Sequence, residues 1–272
     1  MTQKRSEPFS HPLDGSEFKH FTRIEDASSD LIEPSKPRLG RRESEPHSAE
    51  VTYIRDVLTT NFPAGRALWD LHHYFIGTKG ALKGNEIDVQ FDVSFFKDLK
   101  IPYAISSYDA SKHGGRIPDM AINILSKSTW SKDLSETVDI CKDIGISVYV
   151  VFSPYKVTSN LYKPPFLRAF LLKEDGSYEQ KDLLSITLKE GEPIDEKNII
   201  DVREKLPIRL GLMQMNYQYE GEQPLFRLIF IDSSEPRILL STAEKAAQEA
   251  EAKIKELEKD LVKYRKKFGE LD

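Results

Sequence analysis

A strand–helix–strand run between residues 117 and 154 restricts the fold more than any other feature of this chain. Ile117-Pro118-Asp119-Met120-Ala121-Ile122-Asn123-Ile124-Leu125 is a short apolar run, the pattern of a strand covered on both faces. A polar stretch, Ser126 to Ser131, leads into a helix with Leu134, Val138 and Cys141 as its buried stripe and Gly145 as its C-terminal cap. Val148-Tyr149-Val150-Val151-Phe152 is a second covered strand, stopped by Pro154. Strand, helix, strand in that order is a βαβ-type unit, and it places the chain in the α/β class.

The flanking segments add strands. Val89, Phe91, Val93 and Phe95 alternate with Gln90, Asp92, Ser94 and Phe96, a period-2 strand with Asp92 on the face opposite the apolar set. Upstream, residues 51–83 read as a helical lead-in, because Leu68, Leu71 and Phe75 fall at helical spacing. His72 and His73 would then point about 100° apart, too far to chelate one metal together. Downstream, Phe166 to Leu172 is a strand and Asp175-Gly176 a hairpin turn. Met213 to Tyr219 and Leu225 to Ile231 form a second hairpin around residues 220–224, with Pro224 in the loop and not the ladder.

The ends differ in composition. Residues 1–50 hold Pro8, Pro12, Pro34, Pro37 and Pro46 among serines and charges, and read as a disordered polar tail. Residues 51–240 form the main domain, and residues 241–272 a coiled-coil-like helix. Ser241 and Glu244 fit a capping box there. Ala243, Ala247, Ala250, Ile254, Leu257, Leu261, Tyr264 and Phe268 follow in steps of four and three, the seam of a coiled coil. The net charge of −5 means that any grip on nucleic acid must come from a local patch. A single cysteine excludes an internal disulfide framework and a Cys-based zinc site. No apolar run of roughly 18 residues occurs and the N-terminus lacks a signal-type apolar region, so the expectation is a cytoplasmic chain with no membrane partner.

Asp92 and Asp119 lie on separate predicted strands, and two carboxylates from neighbouring strands can hold one hard cation. Around them the chain reads Phe91-Asp92-Val93-Ser94-Phe95-Phe96, Pro118-Asp119, and Asn123-Ile124-Leu125-Ser126-Lys127-Ser128-Thr129. Asp133, Leu134, Glu136, Gly145, Tyr149 and Pro154 follow in register. Leu210-Gly211-Leu212, Phe226-Arg227-Leu228 and Leu239-Leu240-Ser241-Thr242 come later, before the charged terminal helix. In this order the motifs resemble the Uma2 family, also catalogued as restriction endonucleases of the PD-(D/E)XK nuclease fold, over roughly residues 85–272.

The resemblance implies a restriction-endonuclease-like mixed sheet flanked by helices, with β-hairpin additions and a long C-terminal helix. It also implies three catalytic positions. The metal-binding Asp is kept as Asp92, the metal-binding Glu is Asn123, and the catalytic helix Lys is Thr137. A later Glu and Asp of the family fall on Val148 and Ser153. Intact members would bind Mg²⁺ and cut phosphodiesters with a metal-activated water. Here Asp92 is the one kept metal ligand, and an Asn brings no charge, so Mg²⁺ is held weakly or lost. Asp119 shares a strand face with Asn123 but stands about 13 Å from it by strand rise, too far to substitute. Loss of one preorganised cation costs about 10²–10³ in rate.

The expectation is therefore a nuclease-fold protein, catalytically impaired or inactive, that acts as a DNA-binding or assembly module. Lys127, Trp130 and Lys132 are the expected DNA contacts, lysines for phosphate and an indole for stacking. The terminal seam is the expected homodimer contact. The alternative is an active Mg-dependent endonuclease with a rearranged site: Asp92, Asn123 and a lysine moved in from position 127 or 132. A third reading is an interaction protein that never meets nucleic acid, suggested by the acidic charge and the seam.

Overall fold

The computed structural model describes residues 44–101, 105–157, 162–219, 223–235 and 239–268. The described chain enters on helix α1 (Glu45–Asn61). The Ser44 side chain accepts the His47 amide as N-cap, and Pro46 occupies the first turn, where a missing N–H costs nothing. Residues 45–50 are thus helix and not tail, while 1–43 lie outside the described residues.

The helical reading of residues 51–83 holds as far as Asn61, in α1, and is overturned beyond it. Arg66–Ile76 is strand β1, paired antiparallel with β2 (Glu86–Phe96) from Arg66↔Phe96 to Ile76↔Glu86. The ladder skips one pair, Asp70 opposite Asp92, and Asp70 has a left-handed φ of 50°. Both strands change faces at this point. Ala67, Val93 and Phe95 join one core, whereas Leu68, Phe75, Val89, Phe91 and Phe96 join the other. The alternation from Val89 to Phe95 is therefore split between two cores and does not mark a single face. On β1, His72 lies on the outside beside Asp88 (Nδ1–Oδ1 2.8 Å), and His73 is buried.

β3 (Tyr108–Asp109), β4 (Met120–Ile124), β5 (Val148–Ser153), β6 (Phe166–Leu172) and β7 (Tyr178–Leu183) complete a mixed sheet in the order β3-β1-β2-β4-β5-β6-β7. β4 and β5 are parallel neighbours. The short α2 (Trp130–Asp133) and α3 (Glu136–Ile144) connect them, which makes the βαβ unit. Gly145 ends α3 at φ 93°, a conformation that favours glycine. The Asp175-Gly176 turn joins β6 to β7, with the Asp175 carboxylate accepting the Ser177 amide at 2.8 Å.

A smaller sheet follows: β8 (Leu188–Lys189), β9 (Ile200–Asp201), β10 (Ile208–Tyr219) and β11 (Gln223–Asp232). Pro224 sits in β11 opposite Gln218, beyond an irregularity between Gln214 and Gln218. It is a ladder residue after all, tolerated near the strand start. The first core is filled by α1, the large sheet and the small sheet, including Ile54, Val93, Ile122, Val150, Leu210 and Phe230. The second, around Phe91, Ala121, Cys141, Tyr149 and Tyr108, is closed by α3 and the β3 region.

Helix α4 (Ala243–Phe268) ends the described chain. Its cap is Thr242 and not Ser241: Thr242 Oγ1 accepts the Lys245 amide at 3.3 Å. Asp56 of α1 accepts the Ala243 amide at 3.1 Å. No helix of the described residues is long and apolar enough to cross a membrane.

Two buried titratable groups bias stability in opposite directions. His73 Nδ1 lies 2.8 Å from the Leu71 carbonyl and Nε2 lies 2.7 Å from Ser94 Oγ. A carbonyl only accepts, so the proton is on Nδ1 and Nε2 accepts from the Ser94 hydroxyl. Burial pushes the His73 pKa down to about 4. Glu50 on α1 is buried against Arg227 of β11 (Oε1–Nε 2.9 Å). Burial outweighs that cation and pushes the Glu50 pKa up to about 7.

The unfolded His protonates near 6.5, so the His73 contribution is whole above that pH and falls away as pH drops to about 4. The unfolded Glu ionises near 4.5, so the Glu50 contribution is whole below that pH and falls away as pH rises to about 7. Each is worth on the order of 3 kcal/mol, and in the native chain they largely cancel. We predict that Glu50→Gln unmasks His73. Its urea-unfolding free energy climbs between pH 4.5 and 7 more steeply than that of the wild type. Equal pH slopes for the two proteins would refute the burial effect assigned to Glu50.

Candidate functional site

The site forms where the β2–β4 ladder stops. Val93 pairs with Ile122, and the next residues, Asp92 and Asn123, do not pair through backbone. Their side chains take over. Asn123 Oδ1 accepts the Asp92 amide at 3.3 Å, and Asp92 Oδ2 accepts the Ile124 amide at 2.6 Å. Each strand thus receives from the other's side chain the acceptor that the lost ladder would have supplied.

The remaining atoms of both side chains are also engaged. Asn123 Nδ2 donates to Asp133 Oδ1 at 2.8 Å, in a buried contact with α2. Asp92 Oδ1 stands 3.2 Å from His47 Nε2 of α1. Asn123 is 5% exposed and Asp133 is 6% exposed, while the Asp92 side chain keeps 22% of its surface open. The Tyr149 hydroxyl donates to the Asp133 carbonyl at 2.9 Å. Burial, and then the Asp133 charge, hold the Tyr149 phenol and the Cys141 thiol well above their usual pKa. Neither is a nucleophile in this setting.

The predicted site residues divide into two groups. Asp92 and Asn123 come together, and Thr137 is a buried side chain on α3. Asp119 is held elsewhere, its Oδ2 accepting the Lys97 amide at 2.8 Å. Val148 and Ser153 are buried at the two ends of β5. Lys127 is exposed on the β4–α2 loop, and Lys132 is exposed 4.0 Å from Glu136. Trp130 is partly buried and packs its ring against Tyr162, with centroids 5.9 Å apart.

Two participants escaped the sequence reading. His47 lies inside the segment read as tail, beside the Ser44–Pro46 helix-start signal that such a reading passes over. Asp133 enters the sequence reading only as one of the residues in register, although an acid on the buried flank of a short helix needs a donor.

No protein-family model matches the chain. No curated protein matches it. A solved structure from Anabaena variabilis, described as "a putative nuclease belonging to DUF820", is similar at a TM-score of 0.38 and 16% identity, over 57% of this chain and 76% of that one. A likeness at that level assigns neither family nor activity.

The geometry makes Asn123 a structural tie between β2, β4 and α2. Asn123→Ala removes the donor to the buried Asp133 and the acceptor for the Asp92 amide. The expected cost is about 2–4 kcal/mol, read as a lower urea midpoint at unchanged m-value. A loss below about 0.5 kcal/mol would show that the tie contributes little.

Proposed function

We propose that this chain is a nuclease-fold protein that holds DNA or a partner instead of cutting it. The observation that carries the reading is the double engagement of Asn123, whose amide oxygen serves the Asp92 backbone and whose nitrogen serves Asp133. A Mg²⁺ ion asks for oxygen ligands with net negative charge and room for several waters. The set at hand is one partly open carboxylate, Asp92, that already accepts a backbone amide and faces His47, beside a neutral, buried amide. That set does not fit the ion. Thr137, where the resemblance puts the catalytic lysine, is buried and uncharged.

The moved-lysine alternative receives no support from the geometry. Lys132 is engaged with Glu136, and Lys127 projects from the loop as an exposed side chain. Both remain suited to phosphate, which asks only for an accessible cation.

The test uses the full chain. Incubated with supercoiled plasmid and Mg²⁺ or Mn²⁺, the wild type leaves the plasmid as intact as Asp92→Ala does. In a gel shift with labelled duplex, binding weakens as salt rises. The double variant Lys127→Ala/Lys132→Ala lowers the log–log salt slope by about one to two. Cutting by the wild type that disappears in Asp92→Ala would overturn the proposal. A salt slope unchanged by the double variant would remove these lysines from it.

A further inference from the structure

The described residues of α4 leave its seam open to solvent: Ile254 is 55% exposed, Leu257 59% and Leu261 52%. The root of the helix is fixed, since Asp56 accepts the Ala243 amide and the Asn61 side chain donates to the Ser241 carbonyl at 2.8 Å. A helix of 26 residues, about 39 Å long, therefore leaves the domain with an apolar stripe facing water. In heptad terms, Ala247, Ile254, Leu261 and Phe268 stand at a, and Ala243, Ala250, Leu257 and Tyr264 at d.

The charges beside the stripe select its occupant. Glu244, Glu251, Glu258 and Arg265 stand at e, and Ala246, Lys253, Asp260 and Lys267 at g. In two parallel copies in register, each g residue faces the e residue five places on in the other copy. Lys253 then faces Glu258, Asp260 faces Arg265, and Ala246 faces Glu251. Every charged pair is opposite in sign. In an antiparallel pair over the same seam, like positions face each other: Glu244–Arg265 and Lys253–Asp260 are opposite in sign, but Glu251 meets Glu258 twice, so only the parallel pair is free of a like-charge contact. Ile254 at a followed by Leu257 at d is also the choice that favours two strands.

We propose that two copies of this chain join through α4 as a parallel, in-register, two-stranded coiled coil, with both folded domains at one end. The assembly goes beyond the nuclease-fold reading and does not depend on whether the chain cuts DNA. Asp260 also meets Lys263 of its own helix at 3.0 Å, so the Lys253–Glu258 pair is the cleaner one to probe.

Light scattering on the full chain gives twice the 31.2 kDa chain mass at micromolar concentration. Ala247→Cys and Tyr264→Cys, each alone, form disulfide-linked dimers under copper–phenanthroline. An antiparallel coil would pair 247 with 264 and link only a mixture of the two. The native Cys141 is buried and gives little background. Lys253→Glu weakens the dimer about tenfold by sedimentation equilibrium, and adding Glu258→Lys restores it. The substitutions are exposed, and the urea transition of the domain reports that it is still folded. A monomer, a trimer, linkage only in the mixture, or a dissociation constant unmoved by Lys253→Glu overturns the proposal.

Discussion

Everything around the candidate site depends on how the β2–β4 ladder ends. Past Val93 and Ile122 the two strands part inside the protein, and the amides of Asp92 and Ile124 would face a place with little water. A buried donor without a partner costs a few kcal/mol. The chain meets that demand with one carboxylate and one carboxamide, each crossing to the opposite strand. Because these two side chains stand in for backbone, β2 is free to change faces at Asp92, and it feeds two cores from one strand.

The same bonds limit the chemistry. A carboxylate that accepts one amide can still offer its second oxygen to a cation. A carboxamide that bridges an amide and a buried acid has only the second lone pair of its oxygen left, and that brings no charge. Asn123 and Asp133 are also a matched pair. Asp133 needs a donor, and an acid at position 123 would set two carboxylates at the distance of the present 2.8 Å contact. One of them would then have to stay protonated. An acid placed at 123 alone would therefore add a carboxyl group beside Asp133 without a workable ligand set. The neutral residue at 123 and the acid at 133 have to be understood together.

The βαβ unit was legible because each of its parts follows one rule: wholly apolar strands, a striped helix, and a glycine at its end. β1 was not, for a specific reason. A strand that changes faces at Asp70 moves its apolar set from even to odd positions, so Leu68, Leu71 and Phe75 come at steps of three and four. Those are helical spacings produced by a phase slip in a period of two. The same slip hid the split of β2. The start of α1 could have been found, since a serine followed closely by proline is a helix-start signal. Prolines counted as punctuation concealed it. At the site, the positions of Asp92 and Asn123 were legible from the motif order, but the role of Asp133 was not. It exists only once α2 brings that acid to the amide.

Orientation of the terminal helix bears on how an acidic chain could grip DNA at all. With a net charge of −5, one exposed loop carrying Lys127 and a partly engaged Lys132 would be a weak phosphate patch. Two such patches at the same end of a parallel coil would meet one duplex as an intramolecular event. The second contact would then be governed by effective concentration and not by the affinity of a single patch. An antiparallel coil would send the domains to opposite ends, about the helix length apart, and lose that gain unless the DNA spanned the gap. The charges beside the seam thus decide more than helix pairing. In the proposed dimer they would set whether two feeble sites add up to one useful surface.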